Sequence, residues 1–231
     1  MRALLISNSG RPFLEHCRDA IADFLGPARR VGFVTAASLN NEKDYHERAR
    51  EALAPLGLGV EHVHWNHDPQ AVLAGVDAVF VGGGNTYALL ERLHRAKLVE
   101  AIRARVLGGA PYVGTSAGAN IAGPTILTTN DWNVVGLQRF DALGLVPFNI
   151  NPHYLDTDPA MAAHSETRDD RIREYHVVNG NPVFGIEEGT MVRVEDAVAT
   201  VLGGGRVKVF RRGAQPTWHR AGATLSLAPR A

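Results

Sequence analysis

A single cysteine, Cys17, stands in a chain of 231 residues. One thiol cannot close an internal disulfide, and it excludes every cysteine-rich metal framework. No stretch approaches the roughly 20 apolar residues a membrane-spanning helix needs, and the apolar start of MRALLISNSG turns polar too soon for the core of a signal peptide. Net charge is missing as well, with 24 Lys+Arg against 24 Asp+Glu. A neutral chain has no global field to draw it to nucleic acid or to an anionic membrane. What remains is ordinary: 45% hydrophobic and 21% charged residues exclude disorder and collagen-like repeats. The expectation is a soluble, cytoplasmic protein folded as one domain over residues 1–231.

The first half alternates short apolar runs with longer amphipathic ones. Ala3–Ile6, Val31–Thr35, Val60–His64, Ala78–Val81 and Pro111–Val113 read as strands. Between them, Phe13–Leu25, Tyr45–Leu56, Pro69–Leu73, Tyr87–Arg95 and Leu98–Leu107 carry helical spacing. Fully apolar strands such as Ala78-Val79-Phe80-Val81 suit a sheet covered on both faces. The rhythm predicts an α/β fold, a parallel sheet with helices on both sides. The last third differs. Val183–Ile186, Met191–Val194, Ala197–Leu202 and Val207–Phe210 are short strands separated by turn residues. They predict an antiparallel appendage or an edge extension of the same sheet.

Gly114-Thr115-Ser116-Ala117-Gly118 fits G-x-S-x-G, follows an apolar strand and precedes a run of small residues. That is the setting of a nucleophile elbow, which exposes a serine hydroxyl on a tight strand-to-helix turn. A plain βα turn would read the same way in isolation. A second loop, Gly82-Gly83-Gly84-Asn85-Thr86, also follows a buried strand and precedes a helix. In a parallel sheet the two loops share one edge. Backbone N–H groups of Gly84 and Ala117 are then candidates for an oxyanion hole beside Ser116. The glycine run completes neither G-x-G-x-x-G nor G-x-x-x-x-G-K-[ST], which weighs against a phosphate loop.

A serine nucleophile needs a base, and the base needs a carboxylate to orient it. Of ten histidines, His153 stands out, because an apolar run ends there in Asn151-Pro152-His153 and places the ring on a loop after a strand. His164, His176 and His219 read as surface residues. His62, His64 and His67 have spacing that zinc would accept, but spacing alone is weak evidence and they read as a polar strand end, with no metal site expected. Two acids compete for the third role, Asp131 in TTND and Glu188 in GIEEG, with Glu187 as a third option.

Together LLISNS, VGGGNTYALL, GTSAGAN, PTILTTND, FDALGL, NINPHY, SETRDDRIRE and GIEEG, in order over more than three-quarters of the chain, resemble peptidase E, the aspartyl dipeptidase family of serine peptidases. The resemblance implies a flavodoxin-like fold related to class I glutamine amidotransferases. It implies hydrolysis of dipeptides with an N-terminal aspartate, without metal or organic cofactor. Ser116 matches the family nucleophile, His153 the base and Glu188 the glutamate of a Ser-His-Glu triad. Asp131 matches an aspartate also assigned to the relay. Arg168 matches an arginine that recognises the aspartyl side chain. Arg171 is its backup, and Asn85 is a further candidate substrate contact. The partner implied is a small molecule; monomer and homodimer stay open.

Three other readings use the same residues. A cyanophycinase-like or isoaspartyl peptidase would cleave β-linked aspartyl bonds with the same triad. An α/β-hydrolase esterase usually carries its base histidine late in the chain, unlike His153. An amidotransferase-like binding domain would not need Ser116, His153 and Glu188 intact.

Overall fold

The computed structural model describes residues 1–157, 160 and 164–228. Its main sheet has eight strands. The parallel half consists of β1 (Arg2–Ile6), β2 (Arg30–Val34), β3 (Gly59–Val63), β4 (Ala78–Val81) and β5 (Tyr112–Thr115). Later strands, β8 (Thr190–Glu195), β9 (Val198–Gly203) and β12 (Thr224–Ser226), continue it antiparallel beyond β1. The full order is β12-β9-β8-β1-β5-β4-β2-β3. Counted from β2, the order β3-β2-β4-β5 is the doubly wound order 2-1-3-4, and the N-terminal strand β1 takes the fifth place.

A second sheet of four strands lies against the first. It contains β6 (Asn149–Tyr154), β7 (Val183–Glu187), β10 (Arg206–Phe210) and β11 (Thr217–Arg220), in the order β11-β10-β7-β6. The late strands are thus shared between two sheets, so the appendage and the edge extension both occur. β7, read from sequence as part of an antiparallel set, also pairs parallel with the earlier strand β6.

Side chains alternate along each strand, so one sheet seeds two cores. Leu4, Ile6, Phe33, Phe80 and Val113 face α1 (Arg18–Leu25) and α2 (Glu42–Leu53). Ala3, Leu5, Val79, Val81 and Tyr112 face the other way. There they pack with α4 (Thr86–Arg95), α5 (Leu98–Leu107), the short α6 (Ala117–Asn120) and the inner side of the second sheet. α3 (Pro69–Ala74) packs beside α5 and β3. A third cluster, with Tyr154, Ile172, Tyr175 and Phe210, seats α7 (Arg168–Val178) on the outside of the second sheet. Among the described residues no helix is long and apolar enough to cross a membrane.

Helix starts differ from the periodicity in explicable ways. The first helix begins only at Arg18, after a 3₁₀ turn at Glu15–Cys17, because Pro12 and the left-handed Leu14 (φ 60°) delay it. α2 begins at Glu42 rather than Tyr45, since Asn41 caps it and accepts the Asp44 N–H at 3.1 Å. α7 begins in a capping box: Thr167 Oγ1 accepts the Asp170 N–H, and the Asp170 carboxylate accepts the Thr167 N–H. Its T-x-x-D signature was present in the sequence, although the apolar pattern did not reveal the helix. His176 lies on α7 and is buried, with Nε2 3.0 Å from the Asn181 carbonyl, so the surface reading of that histidine is corrected.

His62, His64 and His67 join His46 in a chain of ring contacts. His46 and His62 stack nearly parallel with centroids 4.6 Å apart, His62 and His64 meet edge to face at 5.3 Å, and His64 and His67 lie tilted at 4.4 Å. Among the described residues no group of three His, Cys, Asp or Glu side chains could hold a metal ion. His62 Nε2 instead lies 2.9 Å from Thr35 Oγ1, whose hydroxyl donates to Glu42 at 2.6 Å. Burial, followed by the neighbouring charges of His46 and His64, pulls His62 from its ordinary 6.5 down to about 4. The folded chain therefore binds this proton less tightly than the unfolded chain, and protonation favours unfolding. The contribution of His62 to stability is complete above pH 6.5 and is lost as the pH falls from 6.5 through about 4. Urea melts across this range should show that loss, with a smaller pH step in His62→Asn; an identical step in the variant contradicts the assignment.

Candidate active site

Ser116 occupies the turn between β5 and α6 at φ 52°, ψ −112°, outside the regions an L-residue favours. Such strain persists only where the surroundings hold it. The Ser116 N–H donates to the Ile6 carbonyl at 2.9 Å. The flanking glycines have no room for a side chain. A Cβ on Gly114 would meet the Gly118 carbonyl oxygen at 2.4 Å, and one on Gly118 would meet that of Val81 at 2.0 Å. The G-x-S-x-G spacing is thus a packing requirement of this turn.

The glycine loop after β4 runs alongside. A Cβ on Gly83 would sit 2.9 Å from the Ser116 Cβ. Gly84 has φ 138° and closes to within contact of the Ala37 carbonyl, a position no other residue can take. The Gly83 N–H is occupied, donating to the Tyr45 hydroxyl at 2.7 Å. Among the described residues, the N–H groups of Gly84 and Ala117 have no acceptor.

His153 lies within β6 rather than on a loop after it. Asn151 pairs with Gly185 and Tyr154 with Glu187, so the strand carries a bulge at Pro152-His153. Proline cannot donate to the ladder. The bulge turns His153 to φ 51° and re-aims its ring. His153 Nε2 lies 2.7 Å from Ser116 Oγ, and Nδ1 lies 2.8 Å from Glu188 Oε1. With Nδ1–H donating to the carboxylate, Nε2 is free to accept the serine hydroxyl. The His153 and Glu188 side chains are 38% and 65% exposed, so this line is open to solvent along one side.

Asp131 is elsewhere. Its carboxylate accepts the Thr86 N–H at 2.7 Å and the Thr86 hydroxyl at 2.6 Å, at the start of α4. Glu187 is held by Arg206 at 2.6 Å. Of the three acids, only Glu188 meets His153. Asn85 lines the cavity in front of Ser116, but its amide is committed: Oδ1 caps α4 through the Ala88 N–H and Nδ2 donates to the Trp132 carbonyl.

Arg168 is the first residue of α7 and is half-buried. Its acidic neighbours are taken by others: Glu166 by Arg171, Asp170 by Arg173, Asp169 by Lys208 and the Tyr154 hydroxyl. Burial, followed by the Arg171 charge, lowers the affinity of the Arg168 guanidinium for its proton. It lines a cavity of about 540 Å³ shared with His153 and Glu188. Arg171 lies farther along α7, in an exposed pair with Glu166, and does not reach that cavity. Cys17 belongs to the α1–α2 core, where burial pushes its thiol up to about 12, the state of an inert structural cysteine.

Some residues that build the site carried no catalytic signature. Ser7, fully buried after β1, accepts the His153 N–H at 2.8 Å and donates to the Ile186 carbonyl at 2.7 Å. Asn8 Oδ1 accepts the Gly189 N–H, next to Glu188, at 2.9 Å. Asn120 and Thr128 both donate to the Ile150 carbonyl, and Asn130 donates to that of Pro152. These bonds hold the strand that presents His153. The only hint in the sequence was the recurrence of polar residues at the ends of apolar runs.

The doubly wound sheet, the strained serine and its histidine–carboxylate line define a serine hydrolase. Residues 3–202 match Peptidase family S51, and the chain belongs to that family. It is 48% identical over 230 residues to Peptidase E of Streptomyces coelicolor, covering 98% of this chain and 94% of that one. It is 45% identical over 214 residues to a Drosophila melanogaster protein named "Probable alpha-aspartyl dipeptidase", covering 90% and 89%. In fold it is similar to the crystal structure of a peptidase from an acI-B1 Actinobacterium, with TM-score 0.74 and 15% identity over 97% of this chain and 96% of that one.

Replacing Ser7 by alanine removes the acceptor of the His153 N–H and a buried donor to the Ile186 carbonyl. The expected cost is about 1–3 kcal/mol of stability. Peptidase turnover should fall in kcat more than in KM if the displaced His153 ring acts on Ser116 rather than binding substrate. Steady-state kinetics beside a urea melt test this; unchanged kcat in Ser7→Ala would rule out the positioning role.

Proposed function

We propose that this protein is a dipeptidase that hydrolyses Asp-X dipeptides through an acyl-enzyme on Ser116. The observation that carries the reading is the continuous hydrogen-bonded line from Ser116 Oγ through His153 to Glu188. His153 takes the serine proton as Oγ attacks the carbonyl of the aspartyl residue. Glu188 keeps the ring in the tautomer that can accept, and stabilises the imidazolium. The free N–H groups of Gly84 and Ala117 receive the oxyanion. His153 then gives its proton to the departing amine. Water, deprotonated by the same ring, releases aspartate and regenerates the serine.

The aspartyl assignment rests on the names carried by the relatives and on Arg168. A guanidinium without an ion-pair partner among the described residues, in a cavity walled by His153 and Glu188, can grip a β-carboxylate with two parallel hydrogen bonds. No metal or organic cofactor has a part in these steps. Asp131 has a structural role in this reading: it anchors the Thr128–Asp131 segment to the start of α4.

The experiment is a panel of X-Leu dipeptides that includes Asp-Leu and β-Asp-Leu. Asp-Leu should be turned over well ahead of every other member; preference for β-Asp-Leu would transfer the protein to the isoaspartyl reading. Ser116→Ala should lower kcat/KM by roughly 10⁴-fold or more and Glu188→Gln by about 10³-fold or more, both with the fold intact. Asp131→Asn should act mainly on the melting temperature. A larger kinetic loss in Asp131→Asn than in Glu188→Gln would reverse the roles of the two acids.

A further inference from the structure

An Asp-X dipeptide carries two carboxylates, and Arg168 gives a partner to only one. The other is the free carboxylate of the leaving residue. A subsite for it presupposes the Asp-X activity and rests on that reading. This carboxylate is also the group that distinguishes a dipeptide from any longer peptide, so whatever binds it sets the length of the substrate.

The cavity directly in front of Ser116 has a volume of about 820 Å³. It opens where the chain reverses direction across the sheet, between the loops that follow β2 and β4, the place where doubly wound folds bind ligands. Two guanidinium groups line it, Arg11 and Arg48, and no carboxylate among the described residues pairs with either. Arg168 is not part of this cavity. It lines the neighbouring one, and the two cavities have His153 and Glu188 as a common wall. A dipeptide whose scissile carbonyl lies at Ser116 can therefore meet a cation at each end.

Arg48 is the better placed of the two. It projects from α2, with its guanidinium 5.5 Å from the Tyr45 ring centre and 6.0 Å from that of Phe13. The rings fix the group by cation–π contact and leave its N–H donors unused. Tyr45 is the residue whose hydroxyl accepts the Gly83 N–H, next to the free Gly84 N–H. The cation platform and the candidate oxyanion donor are thus parts of one rigid unit. Phe13 and Leu39 supply apolar wall for the side chain of a leaving residue such as leucine.

We propose that Arg48, with Arg11 on the same cavity, binds the terminal carboxylate of the leaving residue and so restricts the enzyme to dipeptides. The test compares kcat/KM for Asp-Leu with kcat/KM for Asp-Leu amide, which lacks that charge. Wild-type protein should prefer the free acid by about tenfold or more, the value of one charge-assisted hydrogen bond. In Arg48→Gln the ratio should collapse toward one, chiefly through KM for Asp-Leu, while Arg48→Lys should retain most of it. Thermal melts of both variants control for folding. A ratio that is unchanged in Arg48→Gln, or that collapses only in Arg11→Gln, overturns the assignment to Arg48. Equal cleavage of acid and amide by the wild type removes the subsite alone. Failure to cleave either one removes the aspartyl reading and the subsite with it.

Discussion

The carboxyl end of β1 is the point on which the site depends. Four consecutive residues there tie down three segments from distant parts of the chain. The Ile6 carbonyl accepts the Ser116 N–H, Ser7 Oγ accepts the His153 N–H, and Asn8 Oδ1 accepts the Gly189 N–H. Ser9 Oγ donates to Thr115 Oγ1 at 3.2 Å. β1 itself is buried between β5 and β8, so these four residues are anchored at the end of a central strand. Two residues that meet across 2.7 Å, Ser116 and His153, both have left-handed φ values. Such conformations cost on the order of 1–3 kcal/mol each and survive where bonds of this kind over-determine them.

The second sheet follows from the same constraint. A histidine facing a serine hydroxyl has to be held in both position and direction. Here it sits in a strand whose pairing with β7 fixes its height, while the bulge at Pro152 fixes its direction. Asn120, Thr128 and Asn130 clamp that strand from below through its carbonyls. Recurrent polar segments such as GTSAGAN and TTND are therefore mostly scaffold: one residue supplies the hydroxyl, and several others hold the partner strand in place.

The electrostatics are local rather than global. With 24 positive and 24 negative side chains the chain exerts little long-range pull. Most of its arginines are spent on carboxylates and carbonyls, as with Arg206 on Glu187 and Arg92 on the Ala36 and Ser38 carbonyls. Among the described residues Arg48 and Arg168 have no such partner, and they line the two cavities that meet at His153 and Glu188. An unpaired cation facing a cavity keeps its hydrogen-bond donors for a ligand, which a paired one cannot do.

Periodicity and turn chemistry in the sequence determined the α/β class, the parallel strands of the first half and the elbow at Ser116, because these depend on neighbours a few residues away. They also limited the third member of the line to a few acids. The choice among them was tertiary. Asp131 and Glu188 both lie in turns, and only the packing of β7 beside β6 brings Glu188 to His153, while the start of α4 captures Asp131. The helix α7 was missed because polar residues surround its few apolar ones, and its seat on Tyr154 and Phe210 exists only after the second sheet has formed. Ser7 shows the limit most clearly. It is a turn serine by sequence, and it becomes a support for His153 through a bond spanning 146 positions, a separation that no local pattern encodes.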